Sequence, residues 1–383
     1  MKQKLIRITT VPGSLRDLLQ GQLKFMSKHF EVVGVSSPSG DFLEHLAKKE
    51  QIKAYPVHMT RKITPLKDII GVYQLYKIFK KEKPFIVHTH TPKAGTLGML
   101  AAKLAGVPHR LHTIAGLPLL EAVGAKRHIL NLVEKNTYRC ATKIYPNSHG
   151  LYDIILEQKF TVKTKLKVLA NGSSNGIDTL HFNPEQVAAA TKLALKKTWH
   201  INADDFVFVF VGRLVKDKGI NELVNAFNLL NQTHSAIKLL LIGGYEDDLD
   251  PLLPETMAAI ASNTNIMSTG WVADVRPYLA ISHALTFPSY REGFPNVVMQ
   301  AGAMELPSIV TDINGCNEII KNKHSGLIIP TKDVEALLKA MIYMCSHPAE
   351  AKAMGEQSRA HIVSHYERRL VWEAILEEYK SLD

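Results

Sequence analysis

A strand end, the cations Arg213 and Lys218 and a helix start meet in Val211-Gly212-Arg213-Leu214-Val215-Lys216-Asp217-Lys218-Gly219-Ile220. This stretch follows an unbroken apolar run and leads into a helical pattern that opens at Gly219. The first turn of a helix leaves backbone N–H groups without intrahelical partners, which suits an anion. Arg213 and Lys218 bracket that start and would add charge-assisted hydrogen bonds. Phosphate binding is the chemistry this arrangement serves; a solvated basic loop is the alternative reading of either cation alone.

A second stretch is Ser289-Tyr290-Arg291-Glu292-Gly293-Phe294-Pro295-Asn296-Val297-Val298-Met299-Gln300-Ala301-Gly302. Glycine and proline make a turn, and a helix starts at Asn296. Glu292 then stands at the carboxyl end of a strand beside backbone amides. A carboxylate there accepts hydrogen bonds from sugar hydroxyls, the amides face a phosphate, and Gln300 comes within reach of a ribose. Glu292 by itself reads as a surface acid. In the first half, His88-Thr89-His90-Thr91-Pro92-Lys93 alternates two histidines along a strand. A strand histidine usually packs, but the run into Lys93 raises His90 and Lys93 to binding candidates. Asp248-Leu249-Asp250 has the D-x-D spacing of a metal site but lies in an acidic loop before Pro251, so it reads as loop. No His/Cys cluster accompanies it, and neither a metal nor another cofactor is expected.

Positioning these residues requires regular elements, and strand and helix signals alternate along the chain. Strand candidates in the first half are 4–10, 30–36, 52–57, 85–89, 110–114, 143–146 and 167–170. Those in the second half are 206–211, 237–242, 265–269, 284–288, 308–311 and 326–329. Helical patterns fill the intervals. In 218–234, Ile220, Leu223, Val224, Phe227 and Leu230 share one face. Such alternation implies α/β architecture with parallel sheets covered by helices on both sides. Strand character lapses between Asp178 and Asp205, then resumes with Phe206-Val207-Phe208-Val209-Phe210-Val211, a run without alternation and so buried on both faces. The reading is two doubly wound, Rossmann-like domains: 1–180, a linking region 181–204, and 205–365. A final helix over 366–383 is expected to pack back on the first domain.

Composition narrows the function class. Of 383 residues, 46% are hydrophobic and 21% charged, which is ordinary globular usage. No apolar run approaches the roughly 18 residues of a membrane span. The opening residues, interrupted by Arg7 and Pro12, read as a strand rather than a signal peptide. Three scattered cysteines form no disulfide framework, which suits a reducing cytoplasm. Residues 1–195 hold 29 Lys and Arg against 13 Asp and Glu, a balance of +16, and the remainder balances at −6 to give the net +10. A basic first half fits anionic lipid or diphosphate partners. The helix over 65–83 mixes Leu66, Ile69, Ile70, Tyr73, Leu75, Tyr76 and Phe79 with Lys67, Lys77, Lys80, Lys81 and Lys83. Its apolar side is expected on the sheet, leaving the lysines as solvated surface or as contacts to lipid.

The pattern G-R-x3-D-K-G, followed by P-S-x-x-E-G-F-P-N-V with a polar residue eight after the glutamate, resembles glycosyltransferase family four. Further matching stretches are Ala105-Gly106-Val107-Pro108, Ala115-Gly116-Leu117-Pro118 and Asn171-Gly172-Ser173-Ser174-Asn175-Gly176-Ile177-Asp178. They resemble members that extend lipid-linked glycans for capsule, O-antigen or glycoprotein synthesis. The resemblance implies the GT-B fold, two domains facing a cleft, and retaining transfer from a nucleotide sugar, here UDP-linked. By position it implies that Arg213 and Lys218 bind the donor diphosphate and stabilise the leaving group, and that Glu292 holds the transferred sugar. It places amides near Gly293, Phe294, Pro295 and Asn296 on sugar and phosphate, and Gly270-Trp271-Val272 beside the base. Gly212 and Gly13 would admit close backbone approach, and His90, Lys93 and His112 become acceptor-side candidates. Two departures stand out. Gln300 replaces the family's second glutamate, so it can bind a ribose but not act as acid or base. Ala115 replaces a histidine common near the cleft, and no catalytic base is assigned.

The resulting expectation is a cytoplasmic enzyme, peripheral at the inner membrane face, that takes a UDP-sugar and a lipid-diphosphate-linked saccharide. A soluble transferase on a small or polymeric sugar and a nucleotide-sugar epimerase are the alternatives on the same scaffold. A nucleic-acid-binding protein has only the net charge in its favour; no binding motif supports it, and the acidic second half opposes it.

Overall fold

The computed structural model describes residues 2–60, 64–246 and 250–382. The chain divides into two compact units, Met1–Gly176 with Arg369–Asp383, and Ile177–Arg368.

In the first unit β1 (Lys4–Ile8), β2 (Glu31–Ser36), β3 (Lys53–Pro56), β4 (Ile86–Thr89), β5 (His109–Ile114) and β6 (Lys143–Pro146) form a parallel sheet in the order β3-β2-β1-β4-β5-β6. Side-chain alternation sends Ile6 and Ile8 to one face and Leu5 and Arg7 to the other. The second face is covered by the terminal helix Arg368–Lys380, which buries Val371, Ile375 and Tyr379 against Leu5, Leu23 and Ile86.

The second unit repeats the plan with β7 (Phe206–Val211), β8 (Ile237–Ile242), β9 (Ile266–Gly270), β10 (Ala284–Phe287), β11 (Ser308–Thr311) and β12 (Gly326–Ile329), ordered β12-β11-β10-β7-β8-β9. The unalternated run of β7 is central and buried, with the helix Ile220–Asn231 packing Leu223, Val224, Phe227 and Leu230 on the sheet. Residues 181–204 lie within this second unit, where Val187 and Ile201 join the core. In both sheets the strand order reverses beside the first strand of the unit, between β1 and β4 and between β7 and β10. Open α/β sheets offer ligand sites at the carboxyl ends of strands flanking such a reversal.

Two expectations about elements are corrected. Residues 167–170 form no strand: Lys167 N–H reaches Ile144 O at 3.1 Å, but the chain then turns through Ala170, whose φ is 49°, before it can pair further. The helix Pro65–Glu82 buries Leu75 and Phe79 but turns Leu66, Ile69, Ile70 and Tyr73 outward. Helical phase, not apolar content, decides the face: the four lie about half a turn from Leu75 and Phe79.

Candidate active site

The carboxyl ends of β7 and β10 bring the two motif stretches together. The loop after β7 passes through a short 3-10 turn, Lys216–Lys218, and enters the helix at Gly219 with φ 70°. A Cβ on Gly219 would stand 2.1 Å from Pro288 O, so only glycine lets these two loops touch here. Tyr290 N–H then donates to Asp217 O at 2.9 Å, and Arg291 Nη2 pairs with Asp217 Oδ2 at 2.9 Å.

Lys218 Nζ donates to Glu292 Oε1, with both side chains mostly buried at 15% and 16% exposure. Ser289 Oγ donates to the same oxygen at 2.9 Å. Asn314 Nδ2 holds the Glu292 carbonyl, and Gly315 can follow it closely only because it lacks a Cβ, which would lie 2.3 Å from Gly293 O. Thr311 Oγ1 fixes Ser289 O. The carboxylate is therefore positioned by β10, β11 and the loops beyond them. Arg213 is half exposed and pairs with Glu246 on the loop after β8. Arg213, Lys218 and Arg291 thus each have a carboxylate partner.

The remaining second-unit candidates follow strands of the same sheet. No side chain among the described residues caps the helix Asn296–Ala303, which starts after Gly293, Phe294 and Pro295. Gln300 is half-buried on that helix. Gly270 O accepts Gly243 N–H at 3.0 Å, and Gly212 N–H donates to Ile242 O, so the ends of β7, β8 and β9 adjoin. Trp271 is 76% exposed beside them, followed by half-buried Val272. Asp217, Arg291, Ser289, Glu246 and Asn314 join the site only through these contacts. Asp217 and Arg291 sit inside the motifs, but only their pairing gives them a role, and Asn314 carries no local signal. Of the D-x-D pair, Asp248 lies outside the described residues, and Asp250 Oδ2 accepts Asp217 N–H at 2.7 Å. Among the described residues no three His, Cys, Asp or Glu side chains are grouped to hold a metal ion.

The first-unit candidates do not form one cluster. Gly13 lies in the first turn of the helix Pro12–Leu19, and a Cβ there would meet nothing within 4 Å. His90 N–H donates to Ile8 O, and Thr10 bonds Thr91, which closes the loops after β1 and β4 on each other. The His90 ring is buried: Arg7 Nε donates to its Nε2 at 2.8 Å, while Arg7 Nη2 reaches Gln22 Oε1 at 2.6 Å. The neutral ring therefore carries its proton on Nδ1. Lys93 is paired with Asp68 at 2.7 Å. His112 sits on the opposite sheet face, bonded to Thr89 Oγ1 and covered by Gly95 of the helix Pro92–Ala105.

Burial, reinforced by the Arg7 charge at the first two, lowers the pKa of His88 and His90, and burial takes His112 down to about 4. Unfolded histidine binds protons at about 6.5, so below that pH the unfolded chain holds more protons than the folded one. Stability is complete above that value and falls as acid is added, by about 1.4 kcal/mol per pH unit for each histidine kept neutral. Urea midpoints should drop between neutral pH and the His112 value of about 4. A midpoint constant across that window would contradict neutral burial of these rings.

Residues 191–361 match the family described as glycosyl transferases group 1, and residues 18–148 match glycosyl transferase 4-like. The capsular polysaccharide biosynthesis glycosyltransferase CapM of Staphylococcus aureus is 31% identical over 99% of this chain and 97% of its own length. The UDP-Gal:alpha-D-GlcNAc-diphosphoundecaprenol alpha-1,3-galactosyltransferase of Escherichia coli is 28% identical over 89% of this chain and 87% of its own. Anabaena Alr3699/HepE, solved in complex with UDP, superposes with a TM-score of 0.81 at 16% identity, covering 100% of both chains. The chain has the GT-B fold and belongs to glycosyltransferase family four: it is a glycosyltransferase.

Proposed function

We propose that this chain moves a hexosyl or N-acetylhexosaminyl group from a UDP-sugar to a lipid-diphosphate-linked glycan, with retention of configuration, at the inner face of a membrane. The observation that carries the reading is the Lys218–Glu292 pair at the carboxyl ends of β7 and β10, a cation for diphosphate joined to a carboxylate for sugar hydroxyls. The names of the relatives favour the acceptor class, since the E. coli enzyme is named for a diphosphoundecaprenol substrate and a UDP donor. The HepE complex with UDP favours the donor class.

In the proposed step the bond from the sugar's anomeric carbon to the donor phosphate breaks, and a bond to the acceptor oxygen forms on the same face. The acceptor proton passes to the leaving phosphate, so no protein base is required. Lys218 and Arg213 exchange their carboxylate partners for the diphosphate and steady its charge as UDP leaves. Glu292, held by Ser289 and Asn314, orients the sugar. The basic first half would keep the chain near anionic lipid. Among the described residues no helix is long and apolar enough to cross a membrane.

A panel of UDP- and GDP-sugars, assayed with lipid extract as acceptor and followed by nucleotide release, tests the reading. Release from one UDP-sugar, dependent on the extract, is expected. Because Asp250 is engaged by the Asp217 amide, the same turnover should persist in EDTA and in Asp248→Asn. Activity lost in chelator and restored by Mg²⁺ or Mn²⁺ would overturn the metal-independent part. Release that ignores the lipid extract but responds to a soluble sugar would overturn the acceptor.

A further inference from the structure

Arg213, on the loop after β7, pairs with a carboxylate that comes from another loop of the same unit. After β8 the chain runs through Gly243, Gly244, Tyr245 and Glu246. Leu214 N–H donates to Gly244 O at 2.8 Å, and Leu214 and Tyr245 form an isolated parallel bridge. Farther along, Asp250 returns to the loop after β7. Its carbonyl accepts Lys216 N–H at 3.3 Å, and its Oδ2 accepts Asp217 N–H at 2.7 Å. The segment after β8 is thus fastened at both ends to the loop that carries Arg213 and Lys218.

The two acids described at its ends meet different groups. Asp250 Oδ2 is engaged by a backbone amide. Glu246 Oε2 accepts Arg213 Nη1, and the two side chains are 33% and 49% exposed. An ion pair this open to water adds little to folding stability. Its consequence is felt instead by an anion that arrives at Arg213.

We propose that Glu246 sets the balance between donor and product, disfavouring free UDP more than UDP-sugar and so promoting release of the product. This rests on the diphosphate reading of Arg213 and Lys218. Once the sugar has left, the terminal phosphate of UDP is a monoester, whose last proton ionises with a pKa of about 6. Near neutral pH, UDP therefore carries one more negative charge than the UDP-sugar. A carboxylate held against Arg213 acts on that additional charge twice. It repels the charge directly, and it occupies the guanidinium that would otherwise meet it.

Calorimetry on the full chain with two probes reads this whatever the sugar is. One probe is UDP; the other is UDP methylated on its terminal phosphate, which has the charge of the donor. The titrations are run at about pH 8, above the phosphate pKa. Glu246→Gln keeps the shape of the side chain and an acceptor for Arg213 while removing the charge. It is expected to tighten UDP by roughly two- to fivefold more than the methyl ester, the range of a partly exposed ion pair. Product inhibition by UDP should strengthen by a similar factor relative to KM for the donor. In an Arg213→Ala background the same substitution should lose most of its effect. Equal tightening of both probes, no change in either, or an effect undiminished without Arg213 would overturn the proposal. The two readings fail differently. A parent chain that binds neither probe overturns the diphosphate site and this role with it, whereas binding of both with an unshifted ratio sinks the role of Glu246 alone.

Discussion

Glu292→Ala is expected to abolish sugar transfer and to leave binding of free UDP intact. The carboxylate receives Lys218 and Ser289 on one oxygen, and its backbone carbonyl is held by Asn314. That anchoring leaves the second oxygen to meet hydroxyls of a bound sugar. On the proposed reading, removing the carboxylate costs its hydrogen bonds to the transferred sugar and none to the nucleotide. It also releases Lys218 for the diphosphate, so UDP affinity should hold or rise. A hydrogen bond to a charged group is worth about 1.5–3 kcal/mol, and a carboxylate accepting two from a sugar supplies enough to silence turnover at ordinary enzyme levels. Calorimetry with UDP and with the UDP-sugar gives the reading. Equal weakening of both ligands would show that Glu292 serves the nucleotide or the fold instead.

Lys218→Ala is expected to lower kcat/KM for the donor by roughly ten- to a hundredfold, the loss of one charged hydrogen bond in the transition state. The ammonium is mostly buried, 5.7 Å from the Phe287 ring centre, so water does not readily replace it. Arg213→Ala should cost less, because that guanidinium is half exposed and shared with Glu246. Since Lys218→Ala also leaves Glu292 without its cation, a melting curve belongs beside the kinetics to separate lost folding from lost chemistry. Unchanged kcat/KM at limiting donor in a folded variant would remove Lys218 from the diphosphate site.

Periodicity alone made the two doubly wound sheets legible. Phe206–Val211 reads as a strand buried on both faces because it does not alternate, and β7 is central in its sheet. The helix Ile220–Asn231 was legible for the same reason, since its apolar spacing is 3.6 and every member of the stripe is buried. The motifs around Lys218 and Glu292 were legible as types and spacing. Local rules were insufficient where one element answers to another. Residues 167–170 have strand composition, but the left-handed Ala170 ends the pairing. The helix Pro65–Glu82 has apolar residues around most of its circumference, and only docking on its neighbours decides that Leu75 goes in and Ile69 stays out.

The same holds for the site. Lys218 and Glu292 are 74 positions apart in the chain, and adjacency of β7 to β10 across the strand-order reversal makes them partners. Register has a like effect in the first unit. Thr89 pairs with His112, so the side-chain period of two sends His90 and His112 to opposite faces. Residue chemistry and local periodicity determined which groups exist and which element carries each. Which carboxylate neutralises which cation, and which face a side chain reaches, was decided by strand order and packing, because those contacts join residues whose separation along the chain holds no record of their separation in space.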